Sequence, residues 1–424
     1  MKPRILIVLL GAVVTSGWAP AQADVVTDWN AITLVCVQGP VPPGAFLPGR
    51  GGPPGLLDTA LVHAAVHDAV QANQGRFEAY EYENAALRGV GSPEAAAAAA
   101  AYGVLVGMYG ATHPCLATVT NPAVTYAGDP GLQAGNEAAA ALLPLRRPTF
   151  ALPDDPFTGG TAPGEWRPTP PALAPGAFRF LTVTAPFVLN KNSQFRPPRQ
   201  PPLSSVAYAR EYNEVKSLGA LSDTAATTVT RTPEQTDLAR FWLTNPFHAF
   251  HATVRSIAEA HLEDVGDQAR LFALVSLASA DAAISCWESK YHYNFWRPET
   301  AIREGDADGN ARTAGDPDWV PFIPSPPYPD HSSGANNLGG SITGILELYF
   351  GTDEFAFSIA STTPGLLVNP RPYQRFSDAS REVVEVRILH GVHFRHADET
   401  ARRQGRRVAH WVFMKSLRPV AGTN

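Results

Sequence analysis

The chain has 424 residues and a formal net charge of −6, which is long enough for a large core and carries no basic surplus of the kind nucleic acid demands. Its three cysteines permit at most one disulfide, so cross-links do not define the fold. Only five of its 33 basic residues are lysines, so lysine is not the general surface charge and each one invites a specific reading.

The chain opens MKPRILIVLLGAVVTSGWAPAQADVV. Lys2 and Arg4, an apolar run and the small-x-small site Ala21-Gln22-Ala23 predict a signal peptide over residues 1–23 and an exported product, periplasmic or secreted. No later stretch approaches the roughly 18 uninterrupted apolar residues of a membrane span. Cys36 and Cys115 are the pair an oxidising compartment could join, whereas Cys286 lies in an apolar helical run and reads as a buried thiol. Apolar residues at helical spacing predict helices over 56–73, 92–109, 132–143, 234–243, 249–260, 268–289, 335–350 and 380–417. Thr232-Pro233-Glu234 reads as a cap followed by proline at the first helical position. Residues 182–189 give a weak strand signal, and the expected class is all-α, built from helical bundles.

The 39 prolines concentrate between helices, in connections near 39–54, 144–175, 195–202 and 321–329. The long proline-rich region before residue 204 divides the chain into a helical half over 24–203 and a larger half over 204–424, which can merge into one domain. His63 and His67 stand one turn apart in an otherwise apolar run and read as buried structural histidines rather than a metal pair. Asp306-Ala-Asp308-Gly-Asn310 lacks the glycine and glutamate placement of an EF-hand loop and reads as a solvated turn.

Three segments carry chemistry. In Lys290-x6-Arg297-Pro298, seven residues advance a helix by about two turns, so both cations are expected on nearly one face, with Pro298 ending the helix. Such a pair repels unless an anion sits between, and Tyr291, Tyr293, Phe295 and Trp296 argue against a solvated face. In Tyr328-Pro-Asp-His-Ser-Ser333-Gly334-Ala335, Ser333 and Gly334 open a helix whose free N–H groups favour an anion; read blandly, Ser333 is only an N-cap. In Arg387-x5-His393, arginine supplies a fork suited to an oxyanion, and His390, His393 and His396 leave open which histidine reacts. Gly391 either breaks this helix or allows close backbone approach. Together these residues could neutralise a multiply charged tetrahedral oxyanion.

The order and spacing of the three segments resemble the signature of the vanadium-dependent haloperoxidases and the type 2 phosphatidic-acid phosphatases. Trp29-Asn30, HAAVHDAV at 63–70, QFRPPRQPPLSS at 194–205, RTPEQTDLARFW at 231–242, DADGN at 306–310 and FGTDEF at 350–355 are similar to the bacterial haloperoxidase branch. The resemblance implies two four-helix bundles with the anion site in one of them. It implies a peroxidase that uses hydrogen peroxide and halide, with vanadate as cofactor and His393 as its apical ligand. Lys290, Arg297, Ser333, Gly334 and Arg387 would hold the equatorial oxygens, and Lys290 would polarise the peroxide. In the phosphatases phosphate occupies the same shell, and the histidine attacks the phosphorus of a small phosphate ester. The resemblance offers no membrane span, leaves room for a homo-oligomer, and departs at one place. The family's middle motif ends Ser-Gly-His, and its acid–base histidine falls on Ala335. His331 is the candidate substitute. Asp398, one residue beyond the family's usual aspartate position, is the candidate to orient His393. An exported phosphatase and an inactive oxyanion-binding relative are the alternatives.

Overall fold

Thirteen α-helices and one two-stranded hairpin organise the described residues, the computed structural model covering 25–38, 52–151 and 156–421. The expected signal peptide over 1–23 lies outside them, as does most of the 39–54 connection. The first half holds α1 (Val25–Gln38), α2 (Pro53–Gln74), α3 (Pro93–Tyr109), the single turn α4 (Pro122–Thr125) and α5 (Gly131–Ala151). Prolines open α2 and α3, where a missing N–H costs nothing, and the Ser92 hydroxyl accepts from the Ala95 amide. Ala95 to Ala101 are all buried, and these small side chains let α5 lie close to α3. A Cβ at Gly135 would stand 2.4 Å from the Ala96 carbonyl oxygen. A disulfide between Cys36 and Cys115 ties α1 to the segment after α3, and Cys286 is free and buried.

The second half holds α6 (Val206–Leu218), α7 (Pro233–Phe241), α8 (Pro246–His261), α9 (Val265–Tyr293), α10 (Pro298–Arg303), α11 (Gly334–Phe350), α12 (Phe376–Leu389) and α13 (Arg395–Lys415). Thr232 caps α7 in a reciprocal capping box with Gln235. Helix α9 is apolar on nearly every side, the signature of a core helix. By length and hydropathy it could cross a membrane, yet its apolar window is wholly buried inside the protein. It packs against α1, α2 and α3 as well as α11 and α13, so one apolar cluster runs from Val26 to Leu417 across both halves.

Three local expectations change. Residues 182–189 form no strand: the amides of Phe187, Val188 and Leu189 all donate to the buried carboxylate of Asp281 on α9, at 2.6 to 2.8 Å. That carboxylate replaces a partner strand and pins the proline-rich connection to the core. The single helix expected over 380–417 is two, α12 and α13, separated at Gly391. A hairpin, β1 (Glu354–Ile359) with β2 (Arg371–Arg375), joins α11 to α12. Phe355 and Phe357 point the same way along β1 and pack on Phe376, with ring centroids 4.8 and 5.5 Å away.

His63 and His67 are buried on α2. His63 Nε2 pairs with the Asn30 amide at 2.8 Å, and His67 Nε2–H donates to the Glu78 carbonyl at 3.0 Å. Among the described residues no group of three His, Cys, Asp or Glu side chains could hold a metal ion. The 306–310 segment is a turn, exposed at Asp306, Ala307 and Gly309 but anchored inward by two side chains. Asp308 and Asn310 are buried, and Asp308 accepts from the Asn310 amide and the Thr313 hydroxyl.

Candidate active site

Helix α9 ends at Tyr293 because Asn294 adopts left-handed backbone, φ 49°, and returns its N–H to the Lys290 carbonyl. Arg297 then sits in extended backbone as the residue preceding α10. Lys290 and Arg297 therefore do not share a helical stripe, contrary to their spacing; the chain turns back and brings them together. Lys290 is fully buried, and its amine donates to the carbonyls of Pro329 at 2.9 Å and Asp330 at 3.1 Å. Arg297, equally buried, donates Nε–H to the Tyr328 carbonyl at 2.8 Å and Nη1–H to the Val392 carbonyl at 2.7 Å. Both cations lie over the Tyr328 ring, at 4.9 and 5.0 Å from its centroid.

Both readings of Gly391 hold. Its φ is +76°, which ends α12, and a Cβ there would meet the Gly219 carbonyl oxygen at 2.4 Å. The turn presents His393, whose Nδ1–H donates to Asp330 Oδ1 at 2.6 Å. The other carboxylate oxygen, Oδ2, accepts from the Gln200 amide at 3.1 Å. The His393–Asp330 bond fixes the tautomer, so His393 Nε2 carries the lone pair, and Arg297 Nη1 lies beside the ring, 3.2 Å from Nε2 and 3.4 Å from Nδ1. Arg387, in the last turn of α12, donates to His390 Nδ1 at 3.0 Å, while His390 Nε2–H donates to the Ala239 carbonyl at 2.8 Å. The three histidines thus separate. His390 orients Arg387, His396 packs 5.4 Å from the His331 ring, and His393 faces a cavity.

Ser333 precedes α11 in the N-cap position, yet its side chain makes no capping bond. Instead the Asn336 amide reaches both Ser333 Oγ, at 3.3 Å, and Asp398 Oδ1, at 2.8 Å. Asp398 is fully buried and serves Asn336; its carboxylate is not the one that holds His393. Burial drives its pKa well above the usual carboxylate range. His331 is also fully buried, with Nε2–H donating to the Pro198 carbonyl at 2.8 Å, and it is not among the residues lining the cavity. Ala335 is. Gly334 lies against Trp287, where a Cβ would stand 3.1 Å from the indole.

Behind this loop, Gln404 on α13 acts as a hub. Its Oε1 accepts from the Ser332 hydroxyl and the Asn337 amide, both at 2.8 Å, and its Nε2 donates to Ser285 Oγ at 2.7 Å. It therefore ties the 332–334 loop to α9 and α13 at once. Gln404→Leu is expected to lower unfolding stability by about 2 kcal/mol, because buried donors lose their acceptor; a shifted urea midpoint at unchanged slope checks this.

The cavity has a volume of about 200 Å³ and is partly open to solvent, and Arg387, His393, Gly334, Ala335, Trp287 and Tyr328 are among its lining residues. Burial lowers the Lys290 pKa to about 7 and pulls Arg297 and Arg387 below their ordinary values. Burial likewise pushes the Asp330 carboxyl up to about 7, against the pull of Arg297 and Lys290. His393 is held well below its ordinary value, first by burial and then by the three cations, so its imidazole is neutral. Arg297 Nη2 and Arg387 Nε are buried without a hydrogen-bond partner. Three cations, two carboxylates that burial drives toward neutrality, and two orphaned guanidinium donors fit a multiply charged oxyanion. Asp330, Asn336, Trp287 and Tyr328 received no role from the sequence. Asp330 was legible as a carboxylate in the middle segment, and Trp287 stands one helical turn before Lys290.

Residues 270–422 match the profile of the VCPO second helical-bundle domain. The vanadium chloroperoxidase of Curvularia inaequalis is 32% identical over 148 residues, covering 28% of this chain and only 23% of that protein. A bacterial vanadium-dependent iodoperoxidase superposes with a TM-score of 0.72 at 22% identity, over 93% of this chain and 96% of its own. The holo form of a bacterial vanadium-dependent chloroperoxidase gives 0.62 at 18% identity, over 84% and 90%.

Proposed function

We propose that this chain, which has the helical fold of the vanadium haloperoxidases and carries their second helical-bundle domain over 270–422, is a vanadate-dependent haloperoxidase-like enzyme that oxidises halide with hydrogen peroxide. The observation that supports it best is the pair of orphaned arginine donors, Arg297 Nη2 and Arg387 Nε, buried in one cationic cluster beside the His393 lone pair. His393 Nε2 would ligate the vanadium, and Lys290, Arg297, Arg387, the Ser333 hydroxyl and the Gly334 N–H would hold its oxygens. Bound vanadate supplies the Lewis-acidic centre that activates peroxide. Asp330 keeps His393 in the ligating tautomer, and Tyr328 holds Lys290 and Arg297 in place.

Ala335 leaves the cavity without an acid–base imidazole, and neither His331 nor Asp398 lines that cavity. Turnover is therefore expected to be slow, and Ala335→His to raise it. Bromination of a phenolic dye with peroxide, bromide and added vanadate is the test. No vanadate-dependent rate from acidic to neutral pH, together with no vanadate binding by calorimetry, would sink the reading. Export fits the Cys36–Cys115 disulfide, which needs an oxidising compartment.

A second reading draws on the Asp330–His393 pair, which equally suits a nucleophilic histidine attacking the phosphorus of a small ester. Hydrolysis of an aryl phosphate with a good leaving group, in the absence of vanadate, would favour it. Tight oxyanion binding with neither activity would assign an inert relative.

Lys290 gives a pH prediction. Its pKa falls from 10.5 to about 7, so near pH 8 the free protein holds mostly the neutral amine, whose two hydrogens match its two carbonyl partners. A bound oxyanion favours the ammonium and restores the higher pKa. Vanadate binding at pH 8 should thus take up a proton that Lys290→Met does not take up. The difference should vanish near pH 5, where the lysine is already charged. Calorimetry in buffers of different ionisation enthalpy reads it directly.

A further inference from the structure

Asn30 of α1 stands where α1 meets α2 and α8, and one side chain joins the three. Its amide nitrogen lies 2.8 Å from His63 Nε2 on α2 and 3.0 Å from His251 Nδ1 on α8. Its oxygen accepts from Arg255 Nη1–H at 2.8 Å. A guanidinium only donates, so that bond settles which end of the amide is oxygen. Both amide hydrogens therefore point at imidazole nitrogens, and both of those nitrogens carry lone pairs. The ring protons sit on His63 Nδ1 and His251 Nε2, which are buried without a hydrogen-bond partner. Asn30, His63 and His251 are all fully buried. Phe272 of α9 stacks on the His63 ring at 5.3 Å, and Phe247 meets the His251 ring edge to face at 4.5 Å.

This joint tolerates only neutral rings. A proton arriving on His63 Nε2 or His251 Nδ1 would meet an amide hydrogen instead of an acceptor. Asn30 cannot escape by turning over, because its NH2 would then face the Arg255 guanidinium. The charge bearing on both rings is Arg255, with His248 acting on His251 and Glu259 on Arg255, all of them on α8. Burial first, then that cation, lowers the His63 pKa to about 3; burial likewise holds His251 well below its ordinary value. Solvated histidines titrate near pH 6.5, so freed rings take up protons that the docked rings refuse. Docking is thus fully stabilised above about pH 6.5 and loses stability as the pH falls below it. We infer that Asn30, His63 and His251 form an acid-sensitive latch whose protonation undocks α1 from α2 and α8. Helix α1 stays tethered, since Cys36 near its far end is bonded to Cys115. The latch also reaches the cavity beside His393, which Leu56 of α2 and Phe247 of α8 help to line. Leu56 stands about two helical turns from His63, and Phe247 about one turn from His251. Only the effect of that loosening on turnover rests on the haloperoxidase reading; the latch does not.

Hydrogen exchange of the full chain, read as protection of the α1 amides, tests this without vanadate, peroxide or halide. An opening that frees both rings takes up two protons, so α1 protection should fall about 600-fold from pH 7 to pH 5. The α9 amides should stay protected over that range, because the opening is local. His63→Gln with His251→Asn puts a neutral amide oxygen where each lone pair stood. In that double variant the fall should shrink to about 30-fold or less, the share left to His248. Should the variant not fold, nitrogen NMR of histidine-labelled wild type decides. At pH 7 it should show two neutral rings, His63 protonated on Nδ1 and His251 on Nε2. A wild-type fall below about 30-fold, an undiminished fall in the folded double variant, or either ring charged or in the other tautomer overturns the inference. Every readout is of α1 and its histidines, so a failed halide-oxidation assay would leave the latch standing.

Discussion

Asp330→Asn is expected to weaken vanadate binding by about 10- to 100-fold, the usual effect of losing the group that orients a metal-ligating histidine. The carboxylate is caught between two N–H donors, His393 Nδ1 on one oxygen and the Gln200 amide on the other. Asparagine can offer only one oxygen. If that oxygen faces Gln200, its NH2 faces His393, and the imidazole must move its proton to Nε2, where the lone pair is needed. If it faces His393, the tautomer survives but two amide donors oppose each other unless Gln200 flips. The double variant Asp330→Asn with Gln200→Glu supplies a second acceptor and should recover part of the loss. A folded single variant with unchanged vanadate affinity would show that Asp330 does not govern the histidine.

Asp281→Ala is expected to destabilise the protein by about 3–5 kcal/mol, since three buried amides lose their acceptor and each stranded donor costs about 1–3 kcal/mol before relaxation. The amides belong to Phe187, Val188 and Leu189, so the damage should begin in the proline-rich connection. Hydrogen exchange at these amides should accelerate well before global unfolding. A loss below about 1 kcal/mol would mean that water replaces the carboxylate readily.

What could be read from the sequence was what is local in the chain. Helices announced themselves by period, as in α2 and α9, and Thr232 by its capping pattern, because these depend on residues within one or two turns. Lys290, Arg297, Ser333, Gly334, Arg387 and His393 could be singled out because fixed short spacings hold each pair. The cavity, where only some of those residues surface, could not. Nor could the Asp330–His393 bond, whose partners stand 63 positions apart. The same holds for the failed strand at 182–189, which was decided by a carboxylate some 90 residues away. The break at Gly391 sat on the boundary: the glycine was visible, but the Gly219 carbonyl that forbids a side chain there was not.

The close hydrogen bonds that steer Lys290 and Arg297 run to the carbonyls of Tyr328, Pro329, Asp330 and Val392, while the Asp330 carboxylate stands further off, 4.0 Å from Arg297 Nη1. Every amino acid brings a carbonyl, so their aim depends on the path of the main chain and not on which residues travel along it. Drift in the side chains at 329 and 392 would leave both cations pointing where they do, whereas an insertion of one residue between 328 and 330 would mis-aim both at once.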